Sequence, residues 1–169
     1  PGGDEPDLRF GKPDARRLAV AGDPPVAGEG DFKAAAEAGA VVVPLGIARD
    51  DRADIIERLL RGVADADIVV ASGGVSVGAH DQVRSAFEQI GQIDLWRVAI
   101  QPGKPLAFGR AASDDGRNVL LFGLPGNPVS SFVTFELFVR PVIRRMAGHA
   151  DLRGRTIVRA RLADVARTD

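Results

Sequence analysis

Residues 40–78, AVVVPLGIARDDRADIIERLLRGVADADIVVASGGVSVG, decide the fold class. Ala40–Leu45 is apolar and β-branched throughout, which predicts a strand buried on both faces. Pro44 puts the end of that strand at a sheet edge or bend. Asp50-Asp51 then opens a helix in which Ile55, Ile56, Leu59, Leu60 and Val63 recur at helical spacing, with Arg58 and Arg61 on the opposite face. Asp67–Ala71 is a second buried strand, and it runs straight into the glycine-rich loop Ser72–Gly78.

The same alternation extends in both directions. Upstream, Leu18–Ala21 predicts a first strand that stops at Gly22-Asp23-Pro24-Pro25, and Asp31 caps a helix through Ala38 with Gly39 beyond its end. Downstream, Asp81 precedes a helix with Val83, Ala86, Phe87 and Ile90 inward and Gly91 at its end. Leu95–Ile100 and Leu106–Phe108 read as strands flanking the loop Gln101–Pro105. Asn118–Phe122 is a further strand leading into Gly123–Pro128, where Asn127 caps a long helix with Pro128 at its first position. Phe132, Phe135, Val139, Val142 and Met146 form its apolar stripe, and Trp96, Phe87, Phe132 and Phe135 are expected in the core. Pro141 should kink or interrupt this helix, because it lacks an N–H and clashes with the preceding turn. Gly148 ends it, and Arg144 and Arg145 suit the negative end of its dipole. The expected fold is α/β: a three-layer domain with a mostly parallel sheet and helices on both faces. Its expected limits are 18–148, with a lead-in over 1–17 and, over 149–169, a tail or the start of a C-terminal β domain in which Thr156–Leu162 alternates like a half-exposed strand.

Composition narrows the chemistry. With no cysteine, the 169 residues cannot hold disulfides, thiolate metal sites or a thiol nucleophile, and the two histidines, His80 and His149, cannot make a multi-His metal site. Lys+Arg 22 against Asp+Glu 23 is not the charge balance of a protein that binds duplex nucleic acid, so no nucleic-acid partner is expected. No run of about 18 apolar residues occurs, so no membrane span is expected. No secretory signal is visible, and a cytoplasmic protein is expected. The first residue is Pro1 rather than Met, as expected for a piece of a longer chain.

Three Gly/Pro loops each follow a predicted strand: SGGVSVG (72–78), QPGKP (101–105) and GLPGNP (123–128). In open α/β sheets, ligands bind beyond the carboxyl ends of the strands. Glycine lets backbone N–H groups approach an anion, and helix N-termini add partial positive charge. These loops would therefore form a rigid, donor-rich shelf for an anionic, phosphorylated ligand. Ser72, Gly73, Gly74, Ser76, Gly78, Pro102, Gly103, Pro105, Pro125, Gly126, Asn127 and Ser130 are the binding candidates. Lys104, pinned between Gly103 and Pro105, is a preorganised cation for an oxyanion, and Ser130 could instead satisfy only local backbone groups. Asp81 is either a helix cap or a carboxylate for a Mg²⁺-bound phosphate. Of Asp50 and Asp51, one caps the helix and the other has no structural task. The glycine spacing of 72–78 is not the dinucleotide fingerprint, and Gly103-Lys104-Pro105 lacks the hydroxyl of a P-loop.

SGGVSVG followed by Asp81, then PGKP, then LPGNPVS leading into FVTFELFVRP, resembles the molybdopterin molybdotransferases, or molybdenum insertases, a family that includes the C-terminal part of gephyrin. The resemblance spans about 39–148 and implies the central molybdopterin-binding domain. It implies an enzyme of molybdenum cofactor biosynthesis that takes adenylylated molybdopterin and molybdate, cleaves the adenylate with Mg²⁺ and inserts the metal into the dithiolene. It carries ligand-site roles onto Lys104, Pro105 and Ser130, places Asp81, with Mg²⁺ as its metal, and the Asp50–Asp51 pair in the catalytic set, and implies a homodimer supplied by molybdopterin adenylyltransferase. The family usually has a lysine where this chain has Gln101, an aspartate where it has Ala79, and a glutamate where it has Pro24. Two other functions compete: a degenerate module that binds molybdopterin without turnover, and an adenylyltransferase-like domain, against which GGVSVG argues because that sister family more often shows a TGGTG-type loop.

Overall fold

The computed structural model describes residues 17–21, 29–49, 51–73, 82–95, 98–101, 105–151 and 158–159. Six strands form one sheet: β1 (Arg17–Ala21), β2 (Val41–Gly46), β3 (Ile68–Ser72), β4 (Gln92–Leu95), β5 (Ala107–Ala112) and β6 (Asn118–Leu124), in the order β2-β1-β3-β6-β5-β4. β2, β1, β3 and β6 are parallel to one another, whereas β5 runs antiparallel to both β6 and β4. The sheet is mostly parallel, as expected.

Strand residues alternate between two apolar layers. Ala19, Val69, Val119 and Leu121 face α2 (Arg52–Asp65) and α3 (Gln82–Ile90), packing with Leu59, Val63 and Phe87. Leu18, Val20, Val70 and Phe122 face the other way, toward α1 (Glu29–Glu37) and a long helical segment that supplies Phe135, Val139 and Ile143. Helices therefore cover both faces of the sheet, giving the expected three layers.

Several expectations need correction. β2 is not buried on both faces: it is an edge strand, with Val41 47% exposed, and only Leu45 is fully inside. The strand expected at Leu95–Ile100 instead occupies Gln92–Leu95, and the described residues 98–100 carry no strand. The shift comes from a close approach of two backbones. An added Cβ on Gly91 would strike the Arg110 carbonyl, and one on Gly109 would strike that of Gln92, so glycine at both places lets the chain leave α3 directly into β4. Gly91 accordingly has no left-handed cap conformation. α1 begins at Glu29, so Asp31 lies in its first turn instead of capping it.

The long helix is three pieces: α4 (Pro128–Thr134), a π-helical turn (Phe135–Val139) and α5 (Arg140–Met146). The interruption expected at Pro141 is this wide turn, in which the Arg140 N–H reaches back to the Phe135 carbonyl. The stripe changes with it. Phe132 is 42% exposed and Val142 is only half-buried, while Ser131, Thr134, Phe135, Val139, Ile143 and Met146 face the core. Phe87 is buried as expected; Trp96 lies outside the described residues. So do residues 1–16 and most of Thr156–Leu162, whose described members Val158 and Arg159 are not in a strand.

Candidate functional site

The carboxyl ends of β1, β2, β3 and β6 share one sheet edge. β5 runs the other way, so its start lies at that same edge, with Ala107 opposite Gly123. Pro105 and Leu106 lead into it, which brings the end of the 101–105 loop to the edge reached by β3 and β6.

Two of the glycine loops touch. Ser72 stands in register with Leu124, and the next residue, Gly73, donates its N–H to the Leu124 carbonyl at 3.1 Å. Gly73 takes φ +88°, a left-handed conformation that a side chain disfavours. A Cβ on Gly126 would stand 3.4 Å from the Gly73 Cα, so the two loops lie backbone against backbone. Ser72 Oγ is enclosed and has no hydrogen-bond partner among the described residues. A buried hydroxyl in that state costs free energy unless something satisfies it.

Pro125 is buried at the end of β6, and Asn127 follows on the surface. Asn127 Oδ1 accepts the N–H groups of Val129 at 3.0 Å and Ser130 at 3.2 Å, making it the cap of α4, with Pro128 in its first turn as the sequence predicts. The half-buried Ser130 donates its N–H to this cap, and its carbonyl accepts from Thr134 Oγ1, so its backbone is engaged locally.

On the other side of the sheet edge, Asp51 is the cap of α2, its Oδ1 accepting the Ala53 N–H at 3.3 Å. Its partner Asp50 lies outside the described residues, as do Gly74, Ser76, Gly78, Asp81, Pro102, Gly103 and Lys104. Of the candidates, then, Ser72, Gly73, Pro125 and Gly126 come together at the junction of β3 and β6. Pro105, Asn127 and Ser130 lie along the same edge, and Asp51 stands farther off at the β2 end. Among the described residues no three His, Asp or Glu side chains gather into a metal-binding group.

Arg58, which its spacing puts on the face of α2 opposite the apolar stripe, also sits at this edge. Arg58 Nε and Nη2 hold the Asp54 carboxylate at 2.9 and 3.3 Å, and Nη1 donates to the Leu45 carbonyl at 2.7 Å. The Arg58 side chain, hydrogen-bonded to Asp54, holds the Asp54 carboxyl below the usual range, and the Arg49 N–H adds to the effect. The i,i+4 spacing of Asp54 and Arg58 was the available signal.

Known proteins share this architecture and sequence. The chain is 42% identical to the molybdopterin molybdenumtransferase of Haemophilus influenzae over 107 residues, which is 63% of this chain and 25% of that protein. It is 40% identical to the gephyrin of Dictyostelium discoideum over 115 residues, 62% of this chain and 16% of that one. The chain thus spans about a quarter or less of the length of these relatives. Among solved structures, the molybdopterin biosynthesis moea protein from Pyrococcus horikosii superposes with a TM-score of 0.66 at 29% identity, covering 81% of this chain and 37% of that one. The tungsten cofactor synthesizing protein MoaB from Pyrococcus furiosus, 16% identical, shares the fold, with a TM-score of 0.62 over 83% of this chain and all of its own. With a model match that runs over residues 32–145, more than half its length, the chain belongs to the family described as the probable molybdopterin binding domain.

Proposed function

We propose that this chain is the ligand-binding α/β domain of a molybdenum insertase. It holds molybdopterin, in adenylylated form, on the carboxyl-edge loops and serves molybdenum cofactor biosynthesis. The observation that carries the reading is the junction of the two glycine loops: Gly73 bonded to Leu124, Gly126 against Gly73, and Ser72 Oγ at the end of β3, enclosed without a partner among the described residues. Close-packed glycine backbone at strand ends suits a flat ring system carrying phosphate, because no side chain stands in the way.

In the reaction proposed, water hydrolyses the phosphoanhydride and AMP leaves; the two dithiolene sulfurs, which that cleavage does not touch, then bond to the metal of molybdate, displacing one oxide that departs as water with the two thiol protons. Lys104 neutralises the oxyanion, while Ser72, Gly73 and Gly126 border the ring. Asp81, with Asp50 or Asp51 as a helper, would supply the carboxylates for Mg²⁺, which would neutralise charge on the phosphates. Family membership supports a homodimer supplied by molybdopterin adenylyltransferase in the cytoplasm. Among the described residues no helix is long and apolar enough to cross a membrane.

A second reading, binding without turnover, is favoured by the exposed Gln101, which stands where the family usually has a lysine. One assay separates the two: AMP release from adenylylated molybdopterin with Mg²⁺ and molybdate, alongside ligand binding. The expected result for this chain alone is clear binding and slow release. Brisk release abolished by Asp81→Asn would show that the catalytic set is complete within the 169 residues.

A further inference from the structure

The β2–α2 loop is tied down at three points along its length. At its start, Leu45 O accepts from Arg58 Nη1 at 2.7 Å. In its middle, the Arg49 N–H donates to Asp54 Oδ2 at 2.7 Å. At its end, Asp51 caps the helix. The first two ties meet in one ion pair, because Arg58 grips the same Asp54 carboxylate with Nε at 2.9 Å. Gly46 takes φ +74°, and a Cβ there would stand 3.2 Å from Arg58 Nη1, so the guanidinium fills the space over that glycine. Both side chains are largely sheltered, 24% and 21% exposed. An ordinary surface i,i+4 pair needs none of this, for it contributes little and touches no loop backbone.

We propose that Arg58 and Asp54 are positioning residues that hold the segment Gly46–Arg49, and through it the entry to α2 at Asp51, in the shape the ligand site requires. The inference rests on the function proposed above and adds a second layer to that site. A carboxylate that bridges a loop N–H to a guanidinium, which in turn holds a loop carbonyl, fixes the loop before the ligand arrives. Without it, binding must order the loop and is weaker for that reason.

The test measures adenylylated molybdopterin affinity by titration calorimetry, and melting temperature, for wild type, Arg58→Ala, Arg58→Lys, Asp54→Asn and the Asp54→Asn/Arg58→Ala double variant. Arg110→Ala, which breaks a more exposed ion pair with Asp94 on β4 that touches no loop at the site, is the control. Arg58→Ala and Asp54→Asn are each expected to weaken binding roughly tenfold, the usual scale for partners that hold a binding group in place. The double variant should be no worse than Arg58→Ala, because the two act as a unit. Arg58→Lys should fall between, since an ammonium lacks the planar fork that serves two partners at once. Arg110→Ala should bind like wild type. Unchanged affinity in both single variants, with wild type binding, would overturn the positioning role, and so would an equal loss in Arg110→Ala. Failure of wild type itself to bind would overturn the functional reading and the positioning role together.

Discussion

Ser72 and Lys104 make different demands on the molecule, and substitution separates them. Ser72 Oγ is enclosed without a partner among the described residues, so its removal strips out a polar atom that pays nothing back to the fold. Ser72→Ala is expected to leave the melting temperature unchanged or slightly raised, while weakening molybdopterin binding. A fall in melting temperature with no change in binding would make the hydroxyl structural. Lys104→Ala should likewise spare stability. The contact proposed for it, to an oxyanion, would be charge-assisted, so the loss in binding is expected at roughly 1.5–3 kcal/mol. Calorimetric titration with adenylylated molybdopterin, set against thermal denaturation, checks both; equal losses in the two measurements would make Lys104 a structural residue.

At the scale of the element, the π-helical turn explains how one helix carries both a proline and a continuous buried stripe. Ser131, Phe135, Val139 and Ile143 are buried at intervals of four residues. In an unbroken α-helix such a stripe would drift by roughly 40° per step, because each turn takes about 3.6 residues. The wide turn at Phe135–Val139 absorbs the drift and comes just before Pro141, which has no N–H for an ordinary turn. Deleting the exposed Leu137 should restore α-helical spacing along the stripe but return Pro141 to a regular helix interior. That deletion is expected to cost about 3 kcal/mol. Adding Pro141→Ala to it should recover most of the loss, as read by chemical denaturation.

The whole molecule is fastened at the opposite sheet edge, where Arg117 joins the β5–β6 turn to the end of α2. Its Nη1 and Nη2 donate to the carbonyls of Ala66 and Ala64 at the end of α2, and its Nε to Asp115 in the β5–β6 turn. Ser113 hydrogen-bonds to the Asp115 carboxylate; that bond first, and Arg117 after it, hold the Asp115 pKa at about 2 against an ordinary 3.8. A depressed carboxyl pKa stabilises the folded state above the unfolded value and loses that contribution as pH falls toward the folded one. Between pH 7 and about 5 the contribution is therefore constant, and it fades between about 4 and 2. Asp115→Asn should melt lower than wild type at pH 7, with the gap closing at pH 2. A gap independent of pH would show that the shift has another origin.

Much of this was legible in the residues. The alternation of apolar strands with 3.6-period helices specified the α/β class, because each pattern has only one way to bury its face. The cap at Asn127, and a cap at either Asp50 or Asp51, were legible for the same local reason: a short side chain answers N–H groups two or three residues away; the structure assigns the second to Asp51. The motifs SGGVSVG, PGKP and LPGNPVS were enough to indicate the family. What only the tertiary structure decided is non-local. β2 reads as a buried strand but becomes an edge, since strand order depends on which neighbours pair and not on its own composition. Gly91 reads as a helix end but serves a close backbone approach to β5, which lies some twenty residues farther along the chain. Arg58 reads as lying opposite the apolar stripe of its helix, yet its guanidinium reaches a carbonyl 13 residues upstream, a partner that exists only once β2 and α2 have packed.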